Sequence, residues 1–255
     1  MTPKFELCAG SLADCLTAQK YGADRIELNS ALSAGGLTPS IASLRCAKQY
    51  CTIPVICMVR PREAGFCFNA AEAHIMFEDA KALLANGADG IAFGFLNEDG
   101  SIHEEYTGKM VELIHAHHGE AVFHRAVDVT PDLDKAFCTL IDLGVDRVLT
   151  SAQRACAPEG ADLLRYLNEA YGQRIQILPG AGINPDNAAD LLRQTGLNQV
   201  HSSCKAYVKD PTTAHGDVSY AVYSGTNELA YIQADPKLVS AMQEVLDKYG
   251  ASLKK

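Results

Sequence analysis

The chain has 255 residues, 47% of them hydrophobic, a formal net charge of −9 and nine cysteines. That charge excludes an extended nucleic-acid or anionic-membrane face, both of which need a basic surface, and no apolar run approaches the roughly 20 residues of a membrane span. An odd number of cysteines with no C-x-x-C reads as free thiols packed as small hydrophobes, and with strand-like sequence close behind Met1 the chain is expected in the cytoplasm.

Phe5–Cys8 reads as a first strand and Ser11–Tyr21 as a helix. Tyr21-Gly22-Ala23-Asp24-Arg25-Ile26-Glu27-Leu28 then closes the helix on a left-handed glycine, turns, and opens a strand on aliphatics. Ile53–Val59 is the next strand and Ala70–Asn86 a helix, after which the phrase returns as Asn86-Gly87-Ala88-Asp89-Gly90-Ile91-Ala92-Phe93. Helix Thr107–His118, strand Ala121–His124 and helix Pro131–Leu143 lead to a third copy, Leu143-Gly144-Val145-Asp146-Arg147-Val148-Leu149-Thr150. Strand Ile175–Leu178 follows, then a helix Pro185–Thr195 capped by Asn184 with proline at its first position, then a weaker fourth copy ending Asn198-Gln199-Val200-His201-Ser202.

The copies lie roughly 50 to 65 residues apart, as repeated supersecondary units do. Eight strands alternating with helices predict an α/β fold, a (β/α)8 TIM barrel, as one domain over residues 1–255. An open doubly wound sheet would want G-x-G-x-x-G after the first strand; Cys8-Ala9-Gly10-Ser11 stands there instead, so no nucleotide cofactor is expected. Residues 205–234 make a long polar connection, read as a lid or an oligomer contact. A final helix over 235–250 starts at Asp235 and Pro236.

In such a barrel the ligand sits at the carboxyl ends of the strands. With Phe5, Leu7, Ile26 and Leu28 facing the helices, alternation turns Glu6 and Glu27 inward, and likewise Arg60 and His124; His201 ends the last strand. Buried charges must pair with one another, a metal or a ligand, so these residues form either a structural ion network or a functional site. His124 is the first candidate for a general acid or base and Glu27 for a carboxylate base or metal ligand, with Arg125 and Asp128 completing the catalytic set. The turn Gly180-Ala181-Gly182-Ile183 resembles a phosphate loop. Gly180, Gly182, Ser202 and Ser203, with Arg62 and Ser151, form the expected anion- or phosphate-binding set. His115, His117 and His118 read as a solvated helix end, and Cys46, Cys51 and Cys57 as unrelated thiols.

Phe5-Glu6-Leu7-Cys8, Gly22–Leu28, Leu32–Ser40, Met58-Val59-Arg60-Pro61-Arg62, Phe123–Asp128, Arg147–Ser151 and Leu178–Ile183 together resemble the CutC family, from residue 5 to about residue 204. The resemblance implies a cytosolic (β/α) barrel, a homo-oligomer such as a dimer or tetramer, to which copper handling is ascribed. It places copper cysteines near the ends of strands one and two. Cys8 matches the first and Asn29 stands at the second. Cu(I) takes two or more sulfur ligands, so Cys57, Met58 or Cys67 would have to join Cys8, or another divalent metal take its place. Beside copper binding, the residues support an acid–base or metal-assisted enzyme of isomerase, hydratase or lyase type, acting on a small phosphorylated or otherwise anionic polyol or sugar.

Overall fold

A computed structural model describes residues 2–253. Eight strands build the barrel: β1 (Lys4–Ala9), β2 (Arg25–Leu28), β3 (Val55–Met58), β4 (Gly90–Phe93), β5 (Glu120–Phe123), β6 (Arg147–Thr150), β7 (Gln176–Pro179) and β8 (Gln199–Ser202). The helices between them are α1 (Leu12–Lys20), α2 (Ile41–Tyr50), α3 (Ala70–Ala85), α4 (Glu104–Ala116), α5 (Leu133–Asp142), α6 (Ala161–Tyr171) and α7 (Ala188–Thr195). All ladder pairs in the barrel are parallel, in the order β7-β6-β5-β4-β3-β2-β1-β8. The seam between β7 and β8 has no ladder. A side chain bridges it instead, Gln199 Nε2 donating to Ile177 O at 3.1 Å.

The repeat explains the closure. Gly22, Gly87, Gly144 and Gly196 all take positive φ, between 69° and 94°, ending each helix before the next strand. Three copies place a carboxylate just ahead of a strand, where it accepts an N–H from the start of the preceding one: Asp24 from Phe5 (2.8 Å), Asp89 from Val55 (2.7 Å) and Asp146 from Ala121 (2.8 Å). The weak fourth copy carries Asn198 there, and it borders the one unladdered seam.

Alternation sorts the strand side chains. Phe5, Leu7, Ile26, Leu28, Phe93, Phe123, Val148, Ile177 and Val200 pack against the helices in the main core, each worth about 1.5–3 kcal/mol when buried. Inside the barrel the β3–β5 side is apolar, with Ile56, Met58, Ala92 and Val122 in contact. The opposite side is charged.

Two expected elements differ. The helix predicted from Pro185 begins at Ala188, because Asn187 folds its side chain back, accepting from Asn184 N (2.9 Å) and donating to Gly182 O (2.9 Å), so 185–187 stay a turn. The 205–234 segment is not an irregular loop. β9 (Lys205–Lys209) pairs antiparallel with β12 (Ala230–Ala234), and β10 (Ala214–His215) with β11 (Val218–Ser219). Buried Asp14 ties this arm to the barrel by accepting Ala234 N at 2.8 Å. The final helix, α8 (Pro236–Ser252), has the Asp235 cap accepting Lys237 N.

Candidate functional site

The charged side of the interior is a continuous column. At its foot Arg147 pairs with Glu120, and Arg147 Nη1 lies 3.5 Å from Glu6 Oε2. Arg25 Nε bonds the same Glu6 oxygen. Glu6 Oε1 accepts from His201 Nδ1 at 2.8 Å, and His201 Nε2 stands 3.8 Å from Glu27 Oε2. Burial works to raise the Glu6 carboxyl, but Arg25, the His201 hydrogen bond and Arg147 outweigh it and hold it well below the usual carboxylate range. Glu6 was expected at the cavity wall; it lies one layer beneath, as the anchor for His201. Arg25 and Arg147 were not singled out in the sequence. The signal was there, since the alternation that turns Glu27 inward also turns Arg25, two residues earlier.

Above the column is a cavity of about 120 Å³ lined by Cys8, Glu27, Asn29, Gly35, Met58, Arg60, Phe66, His124, Arg125, Leu149 and His201. Burial pushes Glu27 up, and Glu6 adds to this; the cation at His201 and the Asn29 amide, donating at 2.9 Å, only partly oppose it. For His201 burial favours the neutral ring, yet Glu27 and Glu6 overrule it and raise its pKa. His201 thus stands between two carboxyl groups that favour its protonated form.

His124 is the reverse case. Burial first, then the Arg60 charge, pushes its pKa down to about 3. Its Nδ1 accepts Ala126 N–H at 3.1 Å, so the neutral ring carries its proton on Nε2, which has no partner among the described residues. The sequence suggested His124 as the general acid or base. In the structure its ring is neutral, with the Nε2–H left as a hydrogen-bond donor. Gly94 is required for this pose, because a Cβ there would stand 2.5 Å from His124 Cε1.

Arg60 is 6% exposed and bonds only backbone carbonyls: Ala34 (3.1 Å), Gly36 (3.2 Å) and Ala64 (2.5 Å). Among the described residues no carboxylate pairs with it, and its Nε is unpartnered. Its guanidinium lies over Phe66 at 5.1 Å, and Phe66 in turn leans on His124 at 4.9 Å.

A wider cup of about 510 Å³ adjoins this cavity through shared Cys8, Arg125 and His201, and is completed by Ala181, Gly182, Ile183, Asn184, Ser203 and Lys205 among others. Gly182, at φ 71°, packs on Cys156, and among the described residues the N–H groups of Gly182 and Ser203 have no acceptor. Gly180 does not line the cup: its N–H donates to Thr150 O at 3.0 Å, and a Cβ there would strike Leu149 and crowd His201.

Several expected anion ligands are committed elsewhere. Arg62 grips Glu72 and three loop carbonyls at the start of α3. Ser202 Oγ donates to Ile183 O at 2.7 Å. Asp128 accepts from Thr150 Oγ1, the Ser151 and Gln153 N–H groups and Arg125 Nε, while the buried Ser151 hydroxyl lies 2.9 Å from Asp128 and accepts from Arg125. Asp128 and Ser151 thus brace the end of β6 and hold Arg125 over the mouth, and neither lines the cavity. His115 bonds Asp146 and His117 bonds Leu113 O at the end of α4.

The family model described as the CutC family matches residues 3–206. The chain belongs to the CutC family. It is 46% identical over 210 residues to a CutC family protein of Treponema denticola, covering 82% of this chain and 85% of that one. With a CutC family protein of Chromobacterium violaceum it shares 37% over 245 residues, 96% and 98% of the two chains. Among solved structures it is similar to a CutC from Streptococcus agalactiae whose name connects it with copper homeostasis: TM-score 0.75, 30% identity, 79% of this chain and 98% of that one. A phosphoribosylanthranilate isomerase from Pyrococcus furiosus, at TM-score 0.55 and 13% identity over 96% and 99% of the chains, shares the barrel fold. The CutC match ends two residues into β9, so every residue named above as lining the two compartments, Lys205 included, lies within it. No described helix is long and apolar enough to cross a membrane.

Proposed function

We propose that this CutC barrel is an enzyme that takes a small anionic ligand into its rim cavity and performs acid–base chemistry on it. The observation that carries this is Arg60. A buried guanidinium without an ion-pair partner costs several kcal/mol; three carbonyls orient it and only Glu63, beyond ion-pair distance, offsets its charge, so an anion in the cavity would supply what is missing. The His124 Nε2–H is a second donor for the same ligand. His201 and Glu27, 3.8 Å apart and both shifted upward, are the neighbouring pair to which this reading assigns the acid and the base. The cup, with Arg125, Lys205 and the free N–H groups of Gly182 and Ser203, suits a phosphate or carboxylate at the far end of the molecule. Isomerisation, hydration and elimination are all within reach of this set.

Copper is the alternative carried by the family name. Cys8, Glu27 and His201 bring one sulfur, one oxygen and one nitrogen within 4.8 Å of each other. Burial and Glu27 hold the Cys8 thiol well above its usual range, which keeps it protonated. Asn29, where a second thiol would be needed, spends its amide on Glu27 Oε2 and, at 3.6 Å, on Cys8 Sγ. Of the sulfurs that would have to join Cys8, Cys57 packs in the outer core and Cys67 is exposed, while the Met58 thioether lines the same cavity; with one thiol, a carboxylate and an imidazole as the cluster, the set fits Cu(I) poorly, and no step is assigned to copper.

The test is a thermal-shift series with oxalate, inorganic phosphate and small phosphate esters against wild type and Arg60→Lys. A ligand at a hundred times its Kd adds about 2.7 kcal/mol, or roughly 5–10 °C for a chain of this size. The shift should be largely lost in Arg60→Lys. A wild type indifferent to every compound, or a variant that responds equally, would overturn the proposal.

A further inference from the structure

Three side chains of the inner cavity each carry one buried polar atom with no partner among the described residues: Glu27 Oε1, Arg60 Nε and His124 Nε2. A buried donor or acceptor left unpaired costs about 1–3 kcal/mol, and a folded chain rarely gathers three such atoms around one cavity. They are complementary in kind. Arg60 and His124 offer two N–H donors, one charged and one neutral, while Glu27 offers an acceptor. Of the rest of the wall, Met58, Phe66 and Leu149 are apolar, while Cys8, Asn29, Arg125 and His201 stand on the polar side. At roughly 30 Å³ per water, 120 Å³ holds about four waters' worth of ligand, the reacting end of a small molecule, with the cup left for the rest.

Two donors beside a single carboxylate base in a small, largely apolar cavity form a receptor for an oxygen that becomes negative while a proton leaves the neighbouring carbon. Resting on the acid–base reading above, we propose that this site enolises a short α-hydroxycarbonyl compound of about three or four carbons, carrying a phosphate or carboxylate at its other end. Glu27 Oε1 removes the proton from the hydroxyl-bearing carbon. The C–H electron pair becomes the carbon–carbon double bond, and the carbonyl π pair moves onto oxygen, where the Arg60 and His124 donors receive it. Glu27 then returns the proton to the adjacent carbon, and His201 relays the hydroxyl proton between the two oxygens. One C–H bond breaks and one forms, with no oxidant, reductant or co-substrate. A neutral His124 suits the role because it stabilises the enediolate oxygen without protonating it.

The measurement is solvent exchange. Wild type, Glu27→Gln, His124→Gln and His124→Ala are incubated in D2O with glyceraldehyde, dihydroxyacetone, hydroxypyruvate and the phosphate esters of the first two, and loss of the α-proton is followed by proton NMR. Oxalate, planar like an enediolate, is titrated into each protein by calorimetry. Wild type should exchange at least one compound. Glu27→Gln should slow this about a hundredfold or more while still binding oxalate. His124→Ala should lose both exchange and oxalate binding, and His124→Gln, whose amide restores a donor, should recover part of each. Oxalate binding without exchange of any compound, or exchange that survives Glu27→Gln, overturns enolisation and leaves the anion site standing. Absence of both exchange and anion binding removes the two together.

Discussion

Replacing Glu6 by glutamine isolates the charge of the interior column from its shape. The amide keeps the volume and one acceptor oxygen, so no cavity opens; what disappears is the anion shared by Arg25, Arg147 and His201. Arg147 keeps Glu120, but Arg25 is left with Gln199 at 3.3 Å. Breaking a buried pair by removing one partner costs about 3–5 kcal/mol, and at roughly 2–4 °C per kcal/mol for a chain of this length the Tm should fall by about 6–20 °C. The loss should also depend on pH. His201 has its pKa raised in the fold, so its contribution is full below the unfolded value near 6.5 and is lost as pH rises through the folded value. The gap between wild type and Glu6→Gln should therefore narrow on the alkaline side. Calorimetry across pH, with NMR titration of the His201 ring, measures both effects. A Tm loss under about 3 °C together with an unmoved His201 titration would refute the column as an electrostatic unit.

His124 gives the opposite pH dependence. Its depressed pKa of about 3 means its contribution is present above the unfolded value near 6.5 and is lost as pH falls toward 3, a swing on the order of 5 kcal/mol. Denaturant melts should show wild type losing stability between pH 6 and 4 faster than His124→Gln does. Gly94→Ala should cost about 1–3 kcal/mol by overpacking against the imidazole, and should lower oxalate affinity in the same calorimetric assay. In competition titrations of the reduced protein, Cu(I) should bind weakly and equally to wild type and Cys8→Ala, whereas Asn29→Cys, which supplies a second sulfur, should tighten it; clear weakening by Cys8→Ala would restore the copper reading.

The barrel was legible because its repeat is local: a glycine that must take positive φ and a carboxylate ahead of a strand are visible in any eight-residue window. Strand alternation likewise placed Glu27, Arg60, His124 and His201 at one mouth. What alternation could not supply was how each polar atom is spent. Asp128, Ser151, Arg62 and Ser202 sit where rim residues should, yet neighbouring loops use up their hydrogen bonds. The protonation of His124 was out of the sequence's reach for a related reason. It is fixed by the Ala126 N–H and the Arg60 charge, contacts that only the folded chain brings together.

The unladdered seam gives the mouth two banks. β8 is laced to β1, so His201 rides with Glu6 as one piece, whereas Gly180 and Gly182 belong to β7 and its loop across the gap. Side chains hold the two banks together where backbone does not, Gln199 Nε2 on Ile177 O at 3.1 Å and Ser202 Oγ on Ile183 O at 2.7 Å, so the spacing between cup and inner cavity is set by two replaceable residues rather than by the ladder.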